Sequence, residues 1–141
     1  SAANNHYVFE ITETIEMDRI PAVERVFKEF IKNDFRLAID DFGTGYSNYG
    51  YMRDKIFDIV KVDRSFITDI DKQRNNYLMV SFIIKMAHEM GLHVCIEGVE
   101  TKEELSCVKK LGADYIQGYY YGKPVCLQDF EEQHLKRFVL G

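Results

Sequence analysis

The stretch Ile39–Ser47, IDDFGTGYS, places two adjacent carboxylates between a short apolar strand and a glycine-containing loop. Two acidic side chains at the end of a strand repel each other, and this repulsion costs stability unless a cation lies between them. Ile39 and Phe42 flank the pair with apolar side chains, which favours a position at the margin of the core. The stretch therefore predicts a metal site at the end of a strand. A simple turn is the alternative interpretation of Asp40 and Asp41.

The composition is typical of a single globular domain. The chain has 141 residues, of which 46% are hydrophobic and 29% charged, so one hydrophobic core is expected. The formal net charge of −5 and the lack of basic runs argue against a protein that coats DNA or RNA. An acidic protein can still bind a phosphorylated ligand when a divalent cation supplies the positive charge.

The cysteines and the apolar stretches indicate the compartment. Cys95, Cys107 and Cys126 are odd in number and lack a C-x-x-C spacing, which favours reduced thiols in a cytoplasmic protein over a disulfide framework or a zinc site. The most apolar stretch, residues 77–87, is much shorter than the ~20 residues of a membrane-spanning helix. We therefore expect no membrane contact by this segment, although other domains of a longer protein could anchor it.

Strands and helices alternate regularly along the chain. The predicted strands are 7–12, 36–39, 57–62, 92–96 and 114–116, and the predicted helices begin near Pro21, Asn76, Thr101 and Gln128. This pattern, repeated about five times, is typical of a parallel β/α fold. The last helix is expected to extend to Val139.

Apolar side chains three and four residues apart define the helix faces that we expect to pack on the sheet. Gly91 and Gly112 are expected to end the second and third helices, and Thr101 with Glu104 predicts a capping box. The predicted faces are Val23, Val26, Phe27, Phe30 and Ile31; Met79, Phe82, Ile83, Met86, Ala87 and Met90; Leu105, Val108 and Leu111; and Phe130 and Phe138.

Each predicted strand has a polar side chain at or near its carboxyl end. The carboxyl ends of parallel strands meet at one face, so these side chains are expected to share a pocket. Oxygen ligands without sulfur or imidazole favour Mg²⁺ or Mn²⁺, and two such ions roughly 3.5 to 4 Å apart can hydrolyse a phosphodiester. The side chains are Glu10, Glu13, Asp40, Asp41, Lys61, Glu97 and Gln117.

Supporting roles and simpler interpretations also follow from the pattern. Lys61 would orient the attacking water or offset phosphoryl charge, but it could instead form a surface ion pair with Asp63. Glu13 or Glu100 would hold a loop or a metal ligand in place, but both could be acids favoured at a helix start. The loop after Phe42 lacks the third glycine of G-x-G-x-x-G, and the chain contains neither H-E-x-x-H nor G-x-S-x-G.

These motifs together resemble the EAL-domain cyclic di-GMP phosphodiesterases of bacteria, in the family's order and spacing over nearly the whole chain. The matching segments are EITE (10–13), IDDFGTGYS (39–47), IVKVDRSFI (59–67), IEGVET (96–101) and ADYIQGYYYGKP (113–124). The resemblance implies an α/β, (β/α)8 TIM-barrel-like EAL fold. Residues 1–141 would form the carboxyl-terminal part of that domain, a truncated barrel of about five β/α units.

The resemblance also implies an activity, which is metal-dependent hydrolysis of cyclic di-GMP to linear pGpG. Mg²⁺ or Mn²⁺ is the implied cofactor, with two ions in the intact domain. The implied metal ligands are Glu10, Asp40, Asp41 and Glu97, the catalytic residues are Lys61, Glu97 and Gln117, and the supporting or loop-anchoring residues are Glu13 and Glu100.

One part of the family pattern has no match in these 141 residues. The Glu-Ala-Leu strand, with its metal-binding glutamate, and the next strand's asparagine and arginine are absent. We therefore expect little or no hydrolysis by the isolated chain, and a homodimer or aggregation through open strand edges. Asn48, Tyr49 and Gly50 also depart from the family's usual loop but remove no ligand.

Two other functions stay open. A degenerate EAL domain would bind cyclic di-GMP or a partner protein as a non-catalytic regulator. A β/α barrel of unrelated chemistry would use Lys61 as a Schiff-base lysine. The surrounding acids argue against the second of these, since such a lysine needs a lowered pKa and carboxylates raise it.

Overall fold

A five-stranded sheet forms the centre of the protein, whose computed structural model describes residues 7–12, 21–43 and 57–130. All neighbouring strands are parallel and lie side by side in the order of the chain. The strands are β1 Val8–Thr12, β2 Arg36–Phe42, β3 Ile59–Val62, β4 His93–Ile96 and β5 Tyr115–Ile116. The predicted parallel β/α fold is confirmed.

Helices connect the strands and cover one face of the sheet. They are α1 Pro21–Lys32, α2 Arg74–Glu89, α3 Lys102–Leu111 and α4 Leu127–Phe130, with a 3₁₀ helix at Arg64–Phe66 after β3. The rest of the predicted last helix, including Phe138, lies outside the described residues. None of the helices in the described ranges is long and apolar enough to cross a membrane.

The predicted signals at the helix ends are confirmed. Thr101 and Glu104 form a reciprocal capping box at the start of α3, and Gly112 ends that helix at φ 88°. Gly91 follows α2 at φ 76°. Glycine suits both positions because a positive φ strains residues that have a Cβ.

The core lies between the sheet and the helices. Alternate strand residues point to opposite faces of a sheet, so Leu37 and Ile39 of β2 are fully buried beneath the helices together with Val60 and Val62 of β3. The opposite face displays Arg36, Ala38 and Asp40 along β2. Lys61 of β3, Cys95 of β4 and Glu97, directly after β4, lie on this same face. This second face corresponds to the interior of a barrel and is where the polar side chains collect.

The contact face of α2 differs from the predicted one. Ile83 and Ala87 are buried as predicted, but Val80 and Ile84 complete the buried stripe, whereas Met79 is 49% and Phe82 60% exposed. The predicted and the observed faces both have helical spacing. The side chains that pack on the sheet are the compact ones, Val80 and Ile84, rather than Met79 and Phe82.

Three further predicted core residues are exposed. Val26 and Ile31 of α1 are each 51% exposed, and Phe130 of α4 is 45% exposed. Among the described side chains of α1, Phe27 is buried and Phe30 packs beside it; the side chain of Val23 lies outside the described residues. The predictions for Val26, Ile31 and Phe130 were therefore wrong.

Strand β2 is also longer than predicted. It was expected to end at Ile39 but continues to Phe42, so Asp40 and Asp41 lie within its last residues rather than in the following loop. The pairing with β3 is irregular between Ile39 and Phe42. At this irregularity Asp41 takes a φ of 56°, a left-handed conformation that is uncommon for residues other than glycine.

Candidate metal and catalytic site

Lys61 is the centre of a cluster of charged side chains at the carboxyl end of the sheet. It projects from β3 and is only 4% exposed. Its Nζ lies 2.5 Å from Glu97 Oε1, 2.7 Å from Glu10 Oε2 and 3.2 Å from Asp40 Oδ1. Side chains from or directly after four successive strands thus meet at one ammonium group.

The sheet register explains this convergence. Thr12 is paired with Asp40, and Lys61 is paired with Cys95. Glu10 lies two residues before Thr12, and Glu97 lies two residues after Cys95. Side chains two residues apart share a face, and the long lysine side chain spans the remaining offset. The sequence places these acids at strand ends, but their common contact depends on the register.

The cluster holds more negative than positive charge. Burial opposes the charged form of Lys61, yet hydrogen bonds to Glu10 and Glu97 outweigh it and raise the pKa of Lys61 above its ordinary value. Burial also raises the pKa of Glu97, and repulsion from Asp40 and Glu10 adds to this against the attraction of Lys61. Lys61 therefore stays protonated, which contradicts the Schiff-base interpretation because that chemistry requires a lowered lysine pKa.

Cys95 lies on the same face as the charged cluster. Burial, followed by the charge of Glu97, raises the pKa of its thiol to about 11. A protonated, partly buried thiol is a poor nucleophile. Cys95 therefore contributes packing to this face.

Asp41 and Asp63 form the outer part of the acidic region. The backbone amide of Asp41 donates to Asp40 Oδ1 at 3.0 Å. Burial, then the charges of Asp40 and Asp63, raise the pKa of Asp41. Asp63 accepts a hydrogen bond from the Ser65 amide at 2.9 Å and caps the 3₁₀ helix. Asp63 is not among the predicted site residues, although its position one residue after β3 is a signal that favours it as one.

An open groove of about 670 Å³ adjoins the cluster. Glu97, Glu100 and Gln117 line one part of it, and Arg64 forms an ion pair with Glu100 at 3.0 Å. Tyr119, Tyr121 and Lys123 contribute to its wall. Two more predicted site residues, Glu100 and Gln117, thus lie beside Glu97, whereas Glu13 is outside the described residues.

The donors suit a hard divalent cation, although Lys61 occupies their meeting point. In the ranges 7–12, 21–43 and 57–130, no group of three or more His, Cys, Asp or Glu side chains is arranged to hold a metal ion. The available donors are all carboxylate oxygens, and one ammonium cannot balance Glu10, Asp40 and Glu97. The pKa of Asp41 is raised first by burial and then by the negative charges of Asp40 and Asp63. The carboxylate donors therefore fit a hard divalent cation rather than a softer metal.

A parallel sheet whose strands deliver acids to one rim beside a groove defines a β/α barrel type of protein. The sequence model of the EAL domain matches residues 1–124. The chain belongs to the EAL domain family.

Similar proteins extend this assignment. The chain is 37% identical over 123 residues to the cyclic di-GMP phosphodiesterase NbdA of Pseudomonas aeruginosa. The aligned region covers 87% of this chain and 16% of NbdA. The structure of the EAL enzyme Bd1971, bound to cAMP and cyclic di-GMP, matches with a TM-score of 0.84 at 36% identity, over 92% of this chain and 34% of that one.

A metal complex is among the similar structures. BlrP1 of Klebsiella pneumoniae, solved with manganese and cyclic di-GMP, matches with a TM-score of 0.78 at 30% identity, over 86% of this chain and 31% of that one. The EAL fold expected from the sequence is thereby confirmed, and the five-stranded sheet is part of a TIM-barrel-like fold. The chain spans well under half the length of each of these three proteins.

Proposed function

We propose that this chain is the carboxyl-terminal part of a bacterial phosphodiesterase that hydrolyses cyclic di-GMP to linear pGpG with the help of divalent metal ions. The observation that carries the proposal is the convergence of Glu10, Asp40 and Glu97 on Lys61 beside an open groove. Membership of the EAL family and similarity to NbdA support the substrate. The free thiols of Cys95, Cys107 and Cys126 suit a reducing, cytoplasmic location.

The carboxylates have distinct roles in this proposal. Glu10, Asp40, Asp41 and Glu97 would hold Mg²⁺ or Mn²⁺, with two ions in the intact domain, and the bound metal would supply positive charge and an activated water. The similarity to manganese-bound BlrP1 supports this choice of metal. Glu13 would anchor the loop that follows Asp41.

The remaining side chains would act on the water and the phosphate. Lys61 Nζ orients the attacking water or offsets charge on the phosphoryl oxygens. Glu97 Oε accepts a proton from the water, because this carboxylate lies beside Lys61 and also lines the groove. Gln117 would hydrogen-bond the same water from the groove wall, and Glu100 would support the substrate side. The water oxygen forms a bond to phosphorus, one P–O ester bond breaks, and the leaving ribose oxygen takes up a proton from solvent. The other phosphodiester of the ring stays intact, which gives the linear product.

The isolated chain should be a poor enzyme. The family's Glu-Ala-Leu strand and the asparagine and arginine of the next strand are not among its 141 residues, and losing ligands lowers the affinity of a metal site heavily. A homodimer through the open edges of the sheet belongs to the same proposal.

A chimera tests the catalytic proposal. The Glu-Ala-Leu strand and the following strands of the NbdA EAL domain are joined before residue 1, and conversion of cyclic di-GMP to pGpG is followed by chromatography with and without Mn²⁺. We expect Mn²⁺-dependent turnover that Asp40→Asn abolishes and Asp114→Asn, at the opposite end of the sheet, preserves. A folded chimera without turnover, or an active Asp40→Asn variant, would refute the proposal.

The main alternative is a non-catalytic regulator that binds cyclic di-GMP. One observation favours it: Lys61 already pairs with three carboxylates, which is a way to keep the acids together without metal. Isothermal titration of the same chimera with cyclic di-GMP, in the presence of a chelator, separates the two functions. Tight binding without metal, combined with no turnover in Mn²⁺, would establish the regulator.

A further inference from the structure

Glu104 is a buried carboxylate outside the charged cluster. It lies in the first turn of α3 and is 6% exposed. A buried carboxylate is costly unless its oxygens accept hydrogen bonds, so its partners indicate why it is there. The capping box explains one of them, because Glu104 Oε2 accepts from the Thr101 amide at 3.0 Å.

The other partners of Glu104 lie beyond the capping box. Its Oε2 also accepts from the Glu100 amide at 2.9 Å, and its Oε1 accepts from the amide of Asp69 at 3.1 Å. Asp69 is 35 residues away, in the segment that follows β3 and the 3₁₀ helix. One side chain therefore joins the loop after β3 to the loop after β4.

These two loops carry groups that line the groove. The loop after β3 is the segment 63–73, which includes the 3₁₀ helix with Arg64; the loop after β4 is the segment 97–101, which includes Glu100. Arg64 and Glu100 form an ion pair at 3.0 Å. The loops are in close contact, because a Cβ on Gly98 would overlap the side chain of Arg64. Asp69 takes a φ of 55°, and its neighbours Ile67 and Ile70 are buried.

We propose that Glu104 is a positioning residue: its carboxylate fixes the loop after β3 against the loop after β4 and so presents the Arg64–Glu100 pair to the groove. The effect on hydrolysis rests on the proposed function, whereas the effect on the ion pair does not. Glu104 itself does not line the groove, so it acts through Glu100 and Arg64. Loss of one acceptor from it should loosen the pair without removing either partner.

The experiment compares three variants of the 141-residue chain by NMR. Glu104→Gln keeps the shape but replaces one acceptor with a donor. Glu103→Gln, one residue earlier and exposed, removes the same charge from the same helix turn. Thr101→Val removes only the side-chain acceptor that caps the Glu104 amide. We measure amide hydrogen exchange at Asp69 and Glu100, together with the Nε–Hε signal of Arg64.

We expect exchange at the Asp69 or Glu100 amide to accelerate about tenfold in Glu104→Gln, with a shifted Arg64 signal, and neither change in Glu103→Gln. Thr101→Val should destabilise α3 without shifting Arg64. An unshifted Arg64 signal in folded Glu104→Gln, or the same shift in Thr101→Val, would overturn the proposal. If Glu104→Gln does not fold, Glu104→Asp, which keeps the charge but shortens the reach, is measured with the same expectations.

Activity then tests the catalytic consequence in the NbdA chimera. Glu104→Gln should lower kcat/KM for cyclic di-GMP by about tenfold, and Thr101→Val should leave it near the wild-type value. A chimera without any turnover would refute the proposed function alone, because the NMR result would still decide whether Glu104 positions the ion pair. Unchanged kcat/KM in an active Glu104→Gln chimera would overturn the catalytic part of the inference.

Discussion

At the scale of single residues, Lys61 pairs with three carboxylates from within the sheet and offsets part of their charge. Removing one partner of a buried ion pair leaves uncompensated charge and costs ~3 to 5 kcal/mol when the pair is wholly buried. Because the Glu10 side chain is 48% exposed, we expect Lys61→Met to lower the free energy of unfolding by about 2 to 4 kcal/mol. Urea unfolding followed by circular dichroism measures the change.

Lys72→Met is the matched control for Lys61→Met. Lys72 Nζ lies 2.6 Å from Asp69 Oδ1, but both side chains are well exposed to water, so its removal should have little measurable effect. Equal stability of Lys61→Met and the wild type would show that the ammonium group does not hold the acidic cluster together.

Asp114 gives the stability a defined pH dependence. Partial burial would raise its pKa, but hydrogen bonds from His88 and the Val94 amide outweigh burial and lower it. In the folded state the pKa of Asp114 therefore lies below its value of about 3.9 in the unfolded chain. The charged carboxylate then adds to the free energy of unfolding. This contribution is complete at pH values above the unfolded pKa and is lost as the pH falls through the folded pKa.

The variant Asp114→Asn tests this pH dependence. Asparagine keeps an oxygen that can accept the hydrogen bond from the Val94 amide but has no charge. We therefore expect the free energy of unfolding of the variant to be lower by about 1 kcal/mol near neutral pH. The difference should shrink below about pH 4. Urea unfolding between pH 3 and 7 checks both points, and a difference independent of pH would contradict the role of the charge.

Residue identity in the candidate site was largely predictable, whereas the contacts were not. Glu10, Asp40, Lys61 and Glu97 stood out because each is polar at the end of an apolar run. Their shared contact required the strand register, which the sequence does not show. Asp63 is less evident from the sequence, because an acid two residues after Lys61 is also typical of a simple ion pair.

At the scale of elements, the loop after β5 packs tightly against the loop after β4. A Cβ on Gly118 would overlap the backbone of Val99, whereas a Cβ on Gly122 meets no atom within 4 Å. The two glycines have nearly equal φ angles, 159° and 156°, so an alanine at either position has a similar backbone cost. The difference between the two variants therefore isolates the close approach.

We expect Gly118→Ala to be less stable than Gly122→Ala by about 1 to 3 kcal/mol, because the loops must separate to accept the methyl group. Thermal or urea unfolding of both variants measures this. Equal stability would show that the loops move apart without cost.

The helix faces show where sequence patterns stop being decisive. In α2, Met79 and Phe82 are three residues apart and Val80 and Ile84 are four apart. Both spacings place two side chains on one helix face, so periodicity alone allows either pair to face the sheet. Packing of α2 against the sheet at β4 buries the compact pair, and this packing is tertiary information. By contrast, Gly112 and the Thr101–Glu104 capping box were predictable because local backbone chemistry determines them.

At the scale of the whole molecule, the described part of the sheet ends in two edge strands. Among the described strands, β1 and β5 each have a neighbour on one side only, and Tyr7 and Phe9 near the β1 edge are 63% and 40% exposed. A cavity of about 180 Å³ on the inner face is lined by Val8 and Tyr115 among others. Unpaired strand edges beside apolar surface favour association between chains.

We therefore expect the isolated chain to form dimers or larger species in light scattering after gel filtration. Val8→Lys places a charge on the inner face next to the β1 edge and should shift the population towards monomer. Leu78→Lys, on the exposed side of α2, should not. A monodisperse wild-type monomer would contradict this prediction.

The order of the strands has a consequence for how the molecule is made. Each strand lies beside the one that precedes it in the chain, so every new β/α unit meets a docking edge that has just been synthesised. Few distant segments need to find one another, which favours stepwise growth during translation over a late search for partners. With this strand order, a β/α unit can be added at either edge of the sheet without a change in how the other strands are connected.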